Sequence, residues 1–375
     1  MDFFFFDFFI FFFIATLLVK TQLTFDEKFD LPYWRDQEND LWGLDCEFIE
    51  LDNPKNWQSK VKSTSEKEEM SRRGSAREAG MRCDYPNKID FTIRCINRAL
   101  KRVPAEKWCL SWSAGNDSTA LSCIFRKYFA HLKIHHVMSN TRLEYPETIR
   151  NMHAYKATLT SESVPVTIAY PDKKPMQVWA EDGIPLFSKE LASKYRQWIA
   201  TGNDNHLKRV PDWLHESFRK LRDAGIMLTD KCCDELKKKP MQKIRKINGF
   251  IGSFTGVRAS ESQSRKLAYL QRGALYNSTR NRQWICNPIV HWSEDDVQRC
   301  LREAGVTLER PDNGQGRSGC VNCGFGCHIE QKRGRKNSLE ILAENNPQMW
   351  NRTMYDWKFK EACDVAGIET GAQPQ

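Results

Sequence analysis

The fold is decided by the stretch Trp108-Cys109-Leu110-Ser111-Trp112-Ser113-Ala114-Gly115-Asn116-Asp117-Ser118. Residues 108–112 have the apolar composition of a short buried strand, and residues 119–130 have the pattern of a helix. The loop between them is small and polar, so its backbone can approach phosphate oxygens, and the N–H groups of the first helical turn point at such a ligand. The stretch therefore predicts a phosphate site, although a plain N-capped helix uses the same residue types.

The side chains of this loop have distinct predicted roles. Ser113 and Ser118 carry hydroxyl donors. Asp117 would repel a bare phosphate, so it is expected to hold Mg²⁺ or to orient the loop. No Gly-Lys-Ser/Thr sequence follows, and the loop is therefore not a Walker loop.

Strand and helix patterns alternate on both sides of the loop. The predicted strands are 108–112, 133–138, 164–169, 250–255 and 284–290, and the predicted helices are 90–100, 119–130 and 148–158, with a mainly helical, basic stretch at 179–246. Ser293 is predicted to be the N-cap of a further helix. This alternation predicts an α/β fold with a doubly wound parallel sheet and right-handed crossovers. A helical insertion and a Cys-rich C-terminal segment are added to it.

The predicted domain boundaries follow the changes in composition. They give an apolar segment at 1–22, an extension or linker at 23–85, a nucleotide-binding domain at 86–310 and a Cys-containing segment at 311–375. The unbroken apolar run 8–19 is shorter than the ~20 residues that span a bilayer. It also lacks the basic start of a secretory signal. Translation from upstream of the true start and a membrane anchor are both open interpretations, and the anchor is not favoured.

Composition limits the class of protein. The 375 residues carry a net charge of +9, which suits an anionic partner such as a nucleotide or a nucleic acid. The thirteen cysteines are an odd number with only two tight clusters. An intracellular enzyme uses such clusters for metal binding or catalysis, so a reducing, cytoplasmic location is expected.

Several motifs, in order along the chain, resemble one family. Residues 113–118 resemble the PP-loop of the ATP-pyrophosphatase superfamily, Ser-Gly-Gly-x-Asp-Ser, with Ala114 in place of a glycine and Asn116 where lysine is common. Residues 140–148 are similar to the Asp-Thr-Gly-x-x-Phe-Pro-Glu-Thr segment of phosphoadenosine phosphosulfate (PAPS) reductases. Residues 183–189, 256–262 and 287–290 resemble the same family, which also belongs to the adenine nucleotide alpha hydrolase-like proteins.

The resemblance implies a nucleotide, ATP or PAPS, at the carboxyl ends of the strands. Arg258 is expected to clamp a phosphate or sulfate with its planar fork, although a surface pair with Glu261 is the plain alternative. Asn140 is expected near the adenosine, where the family has aspartate. The full set of implied nucleotide-binding residues is Ser113, Gly115, Asn116, Asp117, Ser118, Asn140, Thr141, Gly256, Arg258 and Glu261.

Two cysteine pairs form a candidate metal site. Cys232-Cys233 and Cys320-x-x-Cys323 together offer four thiolates, the number that a 4Fe-4S cluster or a structural Zn²⁺ needs. Adjacent cysteines reach different irons more easily than one zinc ion, and the pattern resembles the iron–sulfur branch of the family. Zinc, unmetallated thiols and a zinc knuckle that uses Cys327-His328 remain alternatives.

The reaction is not fixed by these motifs. A reductase needs a nucleophilic thiol and a thiol electron donor, but the family's Glu-Cys-Gly-Leu/Ile-His tail is missing, which leaves Cys327 and Cys363 as candidates. In the family, retention of Asp117-Ser118 is typical of ATP-cleaving relatives, some of which transfer sulfur to DNA. The basic stretch 231–246 would then contact a phosphate backbone or be a solvated face. A non-catalytic nucleotide- or nucleic-acid-binding module is the second alternative.

Overall fold

The computed structural model describes residues 73–278, 282–311 and 319–371. They divide into two compact units, each built from separate stretches: the described residues up to Pro104 with Gly256–Val297, and Ala105–Thr255 with the described residues from Gln298 onward. The boundaries predicted from composition were at residues 85 and 310, whereas these units divide the chain after Pro104, Thr255 and Val297. The apolar segment 1–22 and most of the extension 23–85 lie outside the described residues.

The second unit contains the parallel sheet. Its four strands lie in the order β3 (Val166–Ala169), β2 (His135–Ser139), β1 (Trp108–Trp112) and β5 (Gly252–Thr255), and all neighbours are parallel. Leu110 of β1 is in register with His136 of β2 and Phe254 of β5. The predicted doubly wound α/β fold is confirmed. The elements up to the last of these strands are β1 (Trp108–Trp112), α2 (Asn116–Tyr128), β2 (His135–Ser139), α3 (Pro146–Ser161), β3 (Val166–Ala169), α4 (Pro175–Asp182), β4 (Leu186–Phe187), α5 (Lys189–Thr201), α6 (His215–Asp223), α7 (Lys239–Asn248) and β5 (Gly252–Thr255), preceded by α1 (Tyr85–Arg102) of the first unit.

Stacked aromatic rings hold the central strand β1 against its neighbour β5. Trp108 of β1 is fully buried and stacks on Phe254 with 4.4 Å between ring centroids. A Cβ atom at Gly252 would lie 2.4 Å from the Trp108 ring, so only glycine lets the indole lie across β5. Apolar side chains on both faces are typical of a parallel strand covered by helices.

The first unit combines α1 with α8 (Gln263–Arg272), the antiparallel hairpin β6 (Leu275–Ser278) and β7 (Gln283–Cys286), and the start of α9 (Glu294–Glu303). The predicted helix at 90–100 is confirmed, because Phe91 and Ile96 are buried within α1. Ser293 caps α9 as predicted, since its Oγ accepts from the Asp296 N–H at 3.2 Å.

The helical part of the second unit has a hydrophobic core of its own. A two-stranded parallel ribbon pairs Leu186 of β4 with Gly324 of β8 (Gly324–Phe325). Gly183 before the ribbon has a φ of 99°, and a Cβ there would lie 2.3 Å from the Met227 carbonyl oxygen. The remaining helices are α10 (Cys327–Lys332), α11 (Ser338–Asn345), α12 (Pro347–Asn351) and α13 (Phe359–Ala366). None of the helices within the described ranges combines the length and apolarity needed to cross a membrane.

Candidate functional site

The loop after β1 is organised around one hydroxyl group. Ser118 Oγ accepts from the Ser113 backbone N–H at 3.1 Å, lies 3.0 Å from Ser113 Oγ and donates to the Gly115 carbonyl at 3.2 Å. Both serines predicted to bind phosphate are therefore brought together, and Ser118 is buried. The loop is therefore closed by its own hydrogen bonds.

Ala114 bends this loop through a left-handed conformation. Its φ is 56°, and its side chain is buried. An L-residue pays about 1–2 kcal/mol for such a backbone. The PP-loop pattern has glycine here, so the turn itself is kept although the residue that favours it is not.

Helix α2 begins directly after the turn, with Gly115 at its N-cap and no hydrogen bond from a capping side chain. The first N–H groups of a helix have no partners within it, and the helix dipole adds partial positive charge there. Strand β1 lies between β2 and β5, so the loop stands where the chain connections diverge to opposite sides of the sheet. Open parallel sheets bind ligands at that point, at the carboxyl ends of their strands.

A second turn follows the neighbouring strand β2. Asn140 is buried, and its Oδ1 accepts from the Arg142 N–H at 2.8 Å. Thr141 Oγ1 donates to Glu144 Oε1 at 2.9 Å and lies 3.7 Å from the sulfur of Cys320. The structure therefore gives Asn140 a turn-forming contact and places Thr141 between this edge of the sheet and the cysteines.

The four predicted cysteine ligands are brought into one electrostatic group. A hydrogen bond from Cys232 lowers the pKa of the Cys233 thiol, and the ammonium groups of Lys189 and Lys237 act in the same direction. The same bond raises the pKa of Cys232, as do the nearby sulfurs of Cys323 and Cys320. Residues 233 and 320 lie far apart in sequence, so only the fold joins them.

Burial opposes ionisation in the second pair. It raises the pKa of the Cys320 thiol, which Lys237 partly offsets. Burial also raises the pKa of Cys323 to about 12, and the sulfurs of Cys320 and Cys233 add to that effect.

Two charged residues complete this four-cysteine group. Lys237 Nζ lies 3.8 Å from Glu144 Oε1, and the carboxylate of Glu144 is almost fully buried. Burial opposes the charge of Lys237, but Cys320, Glu144, Cys233 and Cys323 together raise the pKa of its ammonium group. Glu144 was not singled out from the sequence, although this residue lies inside the family-like motif at residues 140–148.

Over the described ranges, no three or more His, Cys, Asp or Glu side chains are arranged to hold a metal ion. A single ion draws all its ligands to one point, whereas cysteines bind the separate irons of an iron–sulfur cluster. Four neighbouring thiols beside lysines are a suitable donor set for such a cluster.

The predicted phosphate clamp, Arg258, is buried in the first unit. Its guanidinium donates to Glu294 Oε2 at 2.5 Å and to Ser260 Oγ at 3.0 Å. Glu261 forms an ion pair with Arg265 instead. Arg258 thus has a carboxylate partner already in place, and Gly256 begins the segment that leads to it.

The two candidate nucleophiles are core residues. Cys327 is buried with its sulfur 3.3 Å from Ser338 Oγ, and burial raises the pKa of its thiol. Cys363 is fully buried in α13, and burial raises its pKa as well. Neither environment favours the thiolate that attacks sulfur.

The basic stretch 231–246 is largely neutralised by acids. Lys231, Lys238, Lys239 and Lys243 each form an ion pair, with Asp182, Asp234, Glu235 and Asp172 respectively. Lysines that already pair with a carboxylate neutralise few phosphates of a nucleic acid, and therefore few of its condensed counterions are released. This arrangement favours the solvated face over a nucleic-acid surface.

Fold and site together define a class: an α/β protein with a parallel sheet and a small, polar loop at the carboxyl end of its central strand. Residues 186–324 match the family model described as the phosphoadenosine phosphosulfate reductase domain. Over this stretch the chain is therefore similar to the PAPS reductase family.

Other comparisons are more distant. The crystal structure of phosphoadenylyl-sulfate (PAPS) reductase from Candida auris, in complex with phosphate, is similar over 66% of this chain and 90% of its own, with 14% identity and a TM-score of 0.36. No curated protein gives a significant match.

Proposed function

We propose that this protein is an enzyme that acts on an adenine nucleotide, ATP or PAPS, in sulfur metabolism or sulfur transfer. The observation that carries the proposal is the loop of residues 113–118, which closes around Ser118 at the carboxyl end of the central strand. The first-turn N–H groups of α2 provide the donors for phosphate oxygens, and the helix dipole favours their charge.

Asp117 distinguishes the two nucleotides. It lies in the first turn of α2, where its carboxylate would oppose a bare phosphate. With ATP it would hold Mg²⁺ or orient the loop. ATP cleavage to pyrophosphate thus gives this residue a role that PAPS reduction does not require.

The iron–sulfur cluster is part of the same proposal. Cys232, Cys233, Cys320 and Cys323 would hold it, and Lys237 and Lys189 would offset its negative charge. When bound, it would supply thiolate-ligated iron. Thr141 contacts both Glu144 and the sulfur of Cys320, one of these four cysteines.

The reductase and the transferase differ in their products. PAPS reduction requires an attacking thiol and releases sulfite, whereas an ATP-dependent sulfurtransferase releases pyrophosphate. The burial of Cys327 and Cys363 weighs against the reductase, and the ion-paired lysines of 231–246 weigh against nucleic acid as the sulfur acceptor. A non-catalytic module would bind nucleotide and release neither product.

The test uses full-length protein purified without oxygen. Calorimetry with ATP and with PAPS measures binding, and pyrophosphate and sulfite assays measure turnover. Asp117→Ala should abolish turnover without unfolding. Asp295→Ala, another first-turn helix acid, should leave turnover unchanged because it lies in α9. Absence of binding heat with both nucleotides would reject the proposal.

A further inference from the structure

The Cys-x-x-Cys turn of the four-cysteine group contains a buried amide without a hydrogen-bond partner. Asn322 lies between Val321 and Cys323, and only 1% of its surface is exposed. Within the part of the chain that the structure describes, neither its Nδ2 nor its Oδ1 has a partner. Buried side-chain amides are paired in the large majority of cases, and an unpaired one destabilises the folded chain. This amide therefore calls for a ligand that supplies what the protein does not.

The backbone on both sides holds the Asn322 side chain in its buried position. The Val321 N–H donates to the Leu143 carbonyl at 2.8 Å. On the other side, Ser338 Oγ donates to the Cys323 carbonyl at 3.1 Å. The two neighbours of Asn322 are thus fixed to two different segments, so the amide reaches water only if these hydrogen bonds break.

The chemistry of this turn limits what the amide can bind. A neutral amide nitrogen is a hydrogen-bond donor and carries no charge for a metal ion, so Asn322 Nδ2 needs an acceptor. A zinc ion held by the four cysteines brings no acceptor of its own. An iron–sulfur cluster brings inorganic sulfides, and hydrogen bonds to the sulfurs of a cluster are one of the ways in which a protein sets its reduction potential.

We infer that Asn322 Nδ2 donates a hydrogen bond to a sulfide of the proposed iron–sulfur cluster, and that this bond raises the reduction potential of the cluster. The inference rests on the proposed function. Reduction adds negative charge to the cluster, and a donor N–H stabilises the more negative form more strongly. The same bond strengthens the retention of the cluster, because it pairs a nitrogen that has no partner in the protein. A sulfide offers no donor to Oδ1, which therefore contributes equally with and without the cluster.

The experiment uses the full-length chain, loaded with iron and sulfide in the absence of oxygen. Asn322→Leu keeps a similar volume without a donor, and Asn322→Asp keeps the shape, loses the N–H groups and adds negative charge. Asn151→Leu is the matched control, since Asn151 is also buried but bonds the Glu309 backbone through both polar atoms, at 2.8 and 2.9 Å. The measurements are the midpoint potential of the cluster, the rate of iron release to a chelator and the denaturant unfolding of metal-free protein.

The leucine variant should change the loaded and the metal-free protein in opposite directions. Its cluster should have a potential lower by about 59 mV, which is a tenfold change in a one-electron equilibrium, and should release iron about tenfold faster. Metal-free Asn322→Leu should instead resist denaturant better than metal-free wild type, because no unpaired amide is buried. Asn322→Asp should lower the potential at least as far. Asn151→Leu should be less stable in both forms and keep the wild-type potential.

Two results would count against the inference in different ways. A wild-type potential in both Asn322 variants, or iron release no faster than in the wild type, would mean that the amide serves another partner such as a buried water molecule. That result would overturn the inference and leave the proposed function standing. Absence of iron from loaded wild-type protein would reject the cluster and the inference together, while calorimetry with ATP and PAPS would still decide the nucleotide part of the proposed function.

Discussion

The phosphate loop and the four-cysteine group lie in one compact unit but are assembled over different distances along the chain. Ser113 and Ser118 meet across five residues, whereas Thr141 and Cys320 meet across 179. A local turn depends on its own hydrogen bonds. The cysteine group depends on the packing of several segments, so the two regions should respond differently to substitution.

The largest expected effect is the loss of the proposed iron–sulfur cluster. Cys320→Ser with Cys323→Ser removes two of four thiols, and bound iron should fall to background in oxygen-free protein. Nucleotide affinity should change by no more than about twofold, because the loop closes without those residues. Cys300→Ser, at a buried cysteine outside the group, is the control. Full iron content in the double variant would contradict the assignment.

Acid should destabilise the scaffold beneath the loop. Burial lowers the pKa of His136 to about 4 from 6.5, and its Nε2 lies 2.7 Å from Ser122 Oγ in α2. The unfolded chain binds this proton first, so stability is full above pH 6.5 and falls as the pH drops towards 4. The loss in the free energy of unfolding over this range is ~3 kcal/mol, since each pH unit between the two pKa values contributes about 1.4 kcal/mol. Denaturant unfolding of His136→Asn should show a shallower pH dependence.

Removal of the central hydroxyl should weaken the loop alone. Ser118→Ala leaves the Ser113 N–H without its acceptor, which costs about 1–2 kcal/mol and should weaken nucleotide binding about tenfold. Iron content should stay unchanged. Ser122→Ala, one turn further along α2, controls for general damage to the helix. Equal losses in both variants would mean that the loop has no special role.

Substitution of Thr141 should affect iron content and nucleotide affinity together. Thr141→Val removes the hydroxyl that bonds Glu144 and contacts Cys320, at a cost of about 1 kcal/mol. Iron content should fall slightly because the hydroxyl contacts Cys320, and nucleotide affinity should fall slightly because Thr141 is one of the residues predicted to bind the nucleotide. Thr160→Val on the exposed side of α3 should change neither measurement.

The smallest expected effect is a gain. Ala114→Gly relieves the left-handed backbone but adds chain entropy, for a net stabilisation of roughly 0.5 kcal/mol. Ala120→Gly inside α2 should instead destabilise by about 1 kcal/mol or more. Chemical denaturation of both variants checks the opposite signs, and equal destabilisation would mean that Ala114 is unstrained.

The sequence predicted those features that depend on neighbours in the chain. The strand at 108–112, the Ser293 cap and the parallel sheet are all confirmed, because apolar runs and caps act locally. The short β4 and β8 were missed, since two residues carry no periodicity. The partner of Arg258 was also missed, because Glu294 is 36 residues away and only folding brings it within 2.5 Å.

The pairing of β4 with β8 bears on how long the chain between these two strands can be while the cysteines still come together. Leu186 and Gly324, the residues at its first rung, are also the two ends of the stretch that matches the family. The stretch is thus a closed loop, and the entropy of closing one rises only with the logarithm of its length, by about 0.6 kcal/mol per doubling. Insertions at exposed turns within it should therefore be tolerated while Cys232 and Cys320 still meet.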